Sequence, residues 1–165
     1  AMLDDANLSG VNLNGARLSG ASLRRAVLWR ADIRKASLVR GVLDHADLRE
    51  ANLSETDLSH AQLTGARLDG ADLTAAVLRF ADLRGASLKA ANLQQADLTG
   101  AILTTANLTS TNLRWAILAQ ADLRATNLSH AKLINTNLSG SNLTGAMWVD
   151  ATHQCSNQSC DGKAY

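Results

Sequence analysis

Leucine recurs at every fifth position along almost the whole chain. Counted by fives from Leu3 to Leu143, 29 successive positions are Leu except Ile33, and Trp148 occupies the thirtieth. At the 30 positions that lie two residues earlier, 23 residues are Ala. The exceptions are Val11, Gly41, Thr56, Thr111, Thr126, Thr136 and Ser141. A repeat this regular has to be interpreted before any other feature.

The spacing of five excludes an amphipathic helix and favours extended structure. At about 100° per residue, successive Leu would advance by about 140° and spread around the helix. A coiled coil needs a spacing of about 3.5 and fails for the same reason. In an extended Ala-x-Leu segment, both apolar side chains lie on one face. The next two residues predict a turn, because nine of the eleven Gly occupy the second of them.

A strand this short cannot bury its Leu alone, so the chain must coil until all Leu point to a common axis. Each backbone segment then pairs with the coils above and below at about 4.8 Å. Pro, which cannot donate to such a ladder, is absent. The core is poor in aromatics, with one Phe, one Tyr and three Trp in the chain, as a regular stack of Ala and Leu requires.

The residue between Ala and Leu is often Asn or Asp, as in Ala6-Asn7-Leu8 and Ala71-Asp72-Leu73. This pattern resembles the pentapeptide-repeat family, with consensus Ala-(Asp/Asn)-Leu-x-x, and its cyanobacterial-type members. The resemblance covers residues 1–150. It implies an all-β fold, a right-handed quadrilateral parallel β-helix of about 7–8 coils, each of about 20 residues, and about 36 Å long. Residues 151–165 are predicted to form a C-terminal capping tail.

In coils of about 20 residues, residues i and i+20 are stacked neighbours. Many oppositely charged residues in the sequence are 20 positions apart and are therefore predicted to stack on one another. Read linearly, the basic stretch 17–40 would predict a nucleic-acid patch. Stacking instead places most of its cations against acids. The predicted stacked pairs are Arg24 with Asp4 and Asp44, Arg25 with Asp5, Arg30 with Glu50, Lys35 with Glu55, Asp47 with Arg67, and Asp69 with Arg49 and Lys89. Arg17, Arg34 and Arg40 have no stacked acid and remain candidates for contact with an anion or an acidic partner.

Composition and motifs narrow the function classes. The net charge of +1 gives no electrostatic reason to expect that the chain as a whole binds nucleic acid or an anionic membrane. No apolar run approaches the ~18 residues of a membrane span, and no signal peptide is visible. The four His residues lie in no catalytic motif, and so regular a solenoid is expected to lack a large pocket. The chain is therefore predicted to be no enzyme and to hold no cofactor.

Outward apolar residues are the first candidate for a partner surface. Trp115, Ile117 and Ile134 are predicted to lie close together around one corner of the sixth and seventh coils. A partner or dimer contact there is one interpretation. The alternative is scattered surface apolarity, which is normal in folded proteins.

The repeat fails after Val149, and the tail has its own chemistry. Trp148 and the tail are predicted to cover the last coil, whose open ladder would otherwise pair with another chain. Cys155 and Cys160 are predicted to form a disulfide, which implies an oxidising compartment such as the periplasm or the thylakoid lumen. Free thiols, which leave a cytoplasmic location open, or a three-ligand metal site that adds His153 are the alternatives.

The leading interpretation is a non-catalytic structural or protein-interaction rod with an unknown protein partner. The main rival is DNA mimicry, because some members of the family bind DNA gyrase and protect it from quinolones. The slightly basic charge and the Leu, rather than Phe, at the central position argue against it. The chain opens in register with the repeat, so a preceding segment is expected to cover the first coil, or two rods are expected to meet end to end. The protein is accordingly predicted to be a monomer or a homodimer, formed end to end or through the C-terminal end.

Overall fold

The structure of the chain is a computed structural model that describes residues 1–149. In each five-residue repeat we call the small residue the first position and the Leu the third. Parallel bridges join each second position to the residue 20 places later, from Met2–Ser22 to Asn127–Met147. Each repeat contributes one bridging residue and then a two-residue turn. The predicted all-β solenoid with a 20-residue coil is therefore what the described residues form.

Backbone hydrogen bonds tie every coil to both of its neighbours. The second-position N–H donates to the first-position carbonyl of the preceding coil, as from Ser22 to Ala1 at 2.9 Å. The third-position N–H donates to the second-position carbonyl of the following coil, as from Leu23 to Val42 at 2.7 Å. These two bonds form the parallel ladder on each face of the solenoid.

The turn uses two further amides and leaves one without a backbone partner. The fifth-position N–H donates to the following coil, as from Arg25 to the carbonyl of Asp44 at 3.0 Å. The first-position N–H closes the turn onto the preceding Leu, as from Ala26 to Leu23 at 3.1 Å. Four of the five amides in a repeat are thereby satisfied, and only the fourth-position N–H needs another acceptor.

Every fifth position has a left-handed backbone, whether or not it is Gly. From Asp5 to Gly145, φ lies between 54° and 71°, and Phe80 and Trp115 are among the non-Gly residues. The sequence predicted positive φ only where Gly occurs. An L-residue in this region costs about 1–2 kcal/mol, so the stacked hydrogen bonds of the corner must enforce the conformation.

Ala and Leu side chains fill the interior. From Ala21 to Leu128 the first- and third-position Ala, Leu and Ile side chains are almost completely buried. Thr56, Thr111 and Thr126 are also buried at the first position. Each donates its hydroxyl to the carbonyl 23 residues earlier, at 2.7–2.9 Å, so the departures from Ala bury no unsatisfied oxygen.

The two ends of the described ladder are less buried than its middle. Leu3, Leu8, Leu13 and Leu18 in the first coil are only partly buried and pack against the core. Trp148 is partly buried and packs against the core as well, in the register that the sequence predicted. Cys155, Cys160 and the rest of the predicted cap lie outside the described residues.

Adjacent alanines provide a test of the left-handed corner. Ala75 has φ of 55°, whereas Ala76 is a fully buried first-position residue. Ala75→Gly should raise the free energy of unfolding by about 0.5–1 kcal/mol, because it relieves the left-handed penalty. Ala76→Gly should lower it by about 1 kcal/mol or more through lost packing and added chain entropy. Urea titrations of both variants check this, and a loss of stability in Ala75→Gly would contradict it.

Candidate interaction surfaces

Asp and Asn at the second position supply the acceptor that the turn lacks. The N–H of Thr74 donates to Asp72 Oδ1 at 3.0 Å, and its hydroxyl donates to the same oxygen at 2.6 Å. Ser59 bonds Asp57 in the same way. The side chain between Ala and Leu therefore caps the fourth-position amide as an Asx turn does. Its polar atoms are committed to the scaffold.

The four repeats that begin Ala-Asp and carry Arg at the fourth position form ion pairs within themselves. In the first of them, Arg34 donates to both oxygens of Asp32, at 2.8 and 2.7 Å. The other pairs are Asp47 with Arg49, Asp82 with Arg84, and Asp122 with Arg124. Arg34 has no acid one coil away, as the sequence predicted, but its guanidinium is paired with an acid two residues away in its own repeat. An Asp at the second position together with an Arg at the fourth position of the same repeat is the signal that sequence reasoning missed.

Most of the predicted stacked charges do meet. Arg25 lies 2.7 Å from Asp5, and Arg30 lies 2.7 Å from Glu50. Longer pairs of 3.7–3.8 Å join Arg24 to Asp44, Arg67 to Asp47 and Lys35 to Glu55. The cations of these pairs are largely exposed, so the pairs stabilise the sheet only weakly.

The predicted column of Arg49, Asp69 and Lys89 is wrong in detail. Arg49 turns to Asp47 in its own repeat, at 2.5 Å. Asp69 accepts the backbone N–H of Lys89 at 3.2 Å and the hydroxyl of Ser87. Asp69 therefore caps the turn of the next coil, where the second position is Ser and offers no carboxylate or amide oxygen.

A shallow depression of about 620 Å³ lies on the face that begins each coil. Its lining is Arg24, Arg25, Asp44, His45, Gln62, Thr64, Asp82 and Arg84. The sequence predicted no large pocket, and the volume of this depression is larger than that prediction allows, although the depression is shallow. The Asp and Arg side chains of the depression form three separate ion pairs, Arg24 with Asp44, Arg25 with Asp5, and Arg84 with Asp82.

The corner predicted as a partner surface is assembled and exposed. Trp115, Ile117 and Ile134 are 48, 39 and 41 % exposed. The N–H of Trp115 donates to the carbonyl of Ile134 at 3.0 Å, which places the two residues on adjoining coils. Ile117 follows two residues after Trp115, around the corner. Arg17 and Arg40 are exposed on neighbouring coils at the other end and form no ion pair with the described residues.

Two other exposed aromatic residues already have partners. The guanidinium of Arg30 lies 4.3 Å from the centre of the Trp29 ring. The rings of His60 and Phe80 stack with centroids 5.3 Å apart, and the Phe80 ring lies over Gly100. A Cβ at Gly100 would lie 2.5 Å from the ring, so a larger residue there would push the ring aside.

Neither a metal centre nor a membrane span is found in residues 1–149. No group of three His, Cys, Asp or Glu residues in this part of the chain is placed to hold a metal ion. No helix there is long and apolar enough to cross a bilayer. His153, Cys155 and Cys160, the alternative metal ligands, lie outside the described residues.

The Asp82–Arg84 pair predicts a dependence of stability on pH. The hydrogen bonds from Arg84 lower the pKa of Asp82 below 3.8. The pair therefore stabilises the fold above this value, and its contribution is lost as the pH falls through the lowered pKa. Asp82→Asn keeps an oxygen for the turn amide but removes the charge. At neutral pH it should cost only about 0.5 kcal/mol, because Arg84 is largely exposed.

Urea titrations over a series of pH values check this prediction. The difference in unfolding free energy between the wild type and Asp82→Asn should shrink as the pH falls below 3.8. Arg84→Gln is the matched control and should cost about as much at neutral pH. The double variant should lose little more than either single variant. A difference that does not change with pH would contradict the assignment.

Comparisons with known proteins identify the repeat. The family model for pentapeptide repeats matches in eight copies, over residues 1–39, 41–70, 66–104 and 106–145. No curated protein matches the chain.

Solved structures of other repeat proteins are similar to the chain. A pentapeptide repeat protein from the Arabidopsis thaliana thylakoid lumen is 38 % identical over 55 % of this chain and 63 % of its own, with a TM-score of 0.54. The chain thus matches less than two thirds of that protein's length. HetL, a pentapeptide repeat protein involved in heterocyst differentiation regulation in the cyanobacterium Nostoc sp. strain PCC 7120, is 33 % identical over 92 % of this chain and 84 % of its own, with a TM-score of 0.42.

A more distant structure shows the fold alone. Full-length QnrB1, a plasmid-mediated fluoroquinolone resistance protein, is 16 % identical over 87 % of this chain and 84 % of its own, with a TM-score of 0.56. The family match covers almost all of the described residues. The chain belongs to the pentapeptide-repeat family, whose members are right-handed β-helices, and it is similar to cyanobacterial members of that family.

Proposed function

We propose that the chain is a non-catalytic structural or protein-interaction scaffold. The observation that carries the proposal is the exposure of Trp115, Ile117 and Ile134 at one corner of a rod whose other polar groups largely bind one another. Second-position Asp and Asn are committed to turn amides, and most arginines are committed to carboxylates. A rigid surface with a few exposed apolar side chains suits recognition of a protein partner.

The finer architecture is part of the proposal. The β-helix has about 7–8 coils at the repeat spacing, and Trp148 together with residues 151–165 forms its C-terminal cap. The Leu side chains of the first coil are only partly buried, so this end of the rod offers a surface on which a second rod can meet it. In this proposal the protein is a monomer or a homodimer that forms end to end or through its C-terminal end.

A disulfide between Cys155 and Cys160 places the protein in an oxidising compartment, the periplasm or the thylakoid lumen. A relative from the Arabidopsis thaliana thylakoid lumen supports this location. Free thiols would favour the cytoplasm instead.

Alkylation under non-reducing conditions tests the disulfide. We expect the mass of the denatured monomer to stay unchanged with iodoacetamide, and to rise by two carbamidomethyl groups only after reduction. A Cys155→Ser/Cys160→Ser variant is the control and should take up no label in either condition. Labelling of both thiols without reductant would contradict the disulfide and remove the main support for the lumenal or periplasmic location.

A DNA gyrase assay tests the scaffold against the rival function of DNA mimicry. A mimic of the duplex needs a strongly acidic surface, whereas this chain has a net charge of +1 and most carboxylates in residues 1–149 lie against cations. We expect supercoiling by gyrase, and its inhibition by a fluoroquinolone, to be unchanged at a molar excess of the chain, with QnrB1 as the comparison sample. Inhibition of supercoiling or relief from the drug would overturn the proposed function.

A further inference from the structure

The exposed apolar corner continues into a surface with unbalanced charge. Two faces of two adjoining coils carry this surface, which consists of residues 111–120 and 131–140. It contains Arg114 and Lys132 but no Asp or Glu. Elsewhere on the rod most cations lie against acids. Neither Arg114 nor Lys132 has an ion-pair partner in the described part of the chain.

The Arg114 side chain has no hydrogen-bond or ion-pair partner among the described residues. Its Nε is buried and has no hydrogen-bond partner within residues 1–149. Its backbone N–H donates to Asn112 at 3.4 Å, so the local turn is satisfied and the guanidinium remains unused. The Arg114 side chain as a whole is partly exposed, and a carboxylate is the acceptor that satisfies a guanidinium best.

Trp115 adds the apolar part of the same surface. The exposed rings of Trp29 and Phe80 have a guanidinium and a second ring as neighbours, but Trp115 has no ring or cation partner among the described residues. Ile134 lies on the next coil beside it, and Lys132 lies directly above Asn112. Neighbouring coils are about 4.8 Å apart, so one short segment of a partner can reach the cations and the apolar side chains together.

We propose that Arg114, Trp115, Ile117, Lys132 and Ile134 form a docking surface for an acidic, apolar segment of a partner protein. The inference rests on the proposed scaffold function and specifies its partner. Carboxylates of the segment pair with Arg114 and Lys132, and a large apolar side chain covers Trp115 and Ile134. Trp and Arg together are the residue types that most often dominate binding energy at protein interfaces.

Variants can be chosen from residues that already occur in the same columns of the coil, so that the fold is retained. Arg114→Gln copies Gln94, and Lys132→Asn copies Asn112, each one coil below. Trp115→Gly uses the residue that the left-handed corner favours, and Ile134→Thr uses a residue found at other fourth positions. The control is Arg17→Ser/Arg40→Gln, which removes two exposed cations at the other end of the rod. Thermal melting should be similar for all of these variants.

The test is selection of a displayed library of random peptides on the full chain, followed by anisotropy measurements with the selected peptides. We expect peptides rich in Asp or Glu with at least one large apolar residue. Arg114→Gln/Lys132→Asn and Trp115→Gly/Ile134→Thr should each weaken their binding by about tenfold or more. The control variant should leave it unchanged.

Other outcomes would overturn the proposal in distinguishable ways. Failure to select any peptide, selection of neutral or basic peptides, or equal binding to the Arg114→Gln/Lys132→Asn variant would reject this surface. Binding that the control variant abolishes would move the partner site to Arg17 and Arg40 and leave the scaffold function standing. Binding to phosphatidylglycerol vesicles in place of peptides would indicate a membrane. A Trp115-dependent increase in sedimentation would indicate a second copy of the chain.

Discussion

The backbone ladder between residues 20 positions apart is the constraint on which every other feature of the molecule depends. It fixes the neighbours of each side chain above and below, whatever that side chain is. An insertion of one residue would turn the Leu of every later repeat away from the axis, so the spacing is kept without exception from Leu3 to Leu143. Every surface property of the rod is therefore a property of columns of residues rather than of stretches of sequence.

The ladder leaves one amide per repeat unsatisfied, and this need explains the polar half of the repeat. Where the second position is Asp or Asn, its side chain accepts the fourth-position N–H. Where it is Ser or Gln instead, an Asp of the preceding coil can take over: Asp4 accepts from Arg24, Asp44 from Thr64, and Asp69 from Lys89. Two different sequence solutions thus meet one backbone requirement, and in both of them a carboxylate or amide that looks available for chemistry is used by the fold.

The coil and its charge stacking could be predicted from the sequence because both follow from a period. The 20-residue register placed Arg25 beside Asp5 and Arg30 beside Glu50, as the structure has them. What could not be predicted were choices between near-equal local alternatives. Arg49 could reach an acid in its own repeat or one on the next coil, and it takes Asp47, which its own amide already contacts. Positive φ at Phe80 also escaped prediction, because the corner enforces a conformation that the residue itself disfavours.

The candidate docking surface is the region where these internal hydrogen bonds and ion pairs are missing. Most polar groups of the rod are hydrogen-bonded to its own backbone or paired with its own charges. A surface that can bind a partner must therefore lie where such groups are left without partners. Among the described residues, Arg114 and Lys132 have no ion-pair partner, the Nε of Arg114 is buried without an acceptor, and the Trp115 ring has no ring or cation partner. Each of these features alone is ordinary surface variation. Their coincidence within two adjoining coils is what separates this corner from the paired surface around it, because a partner that supplied one missing group would be positioned to supply the others.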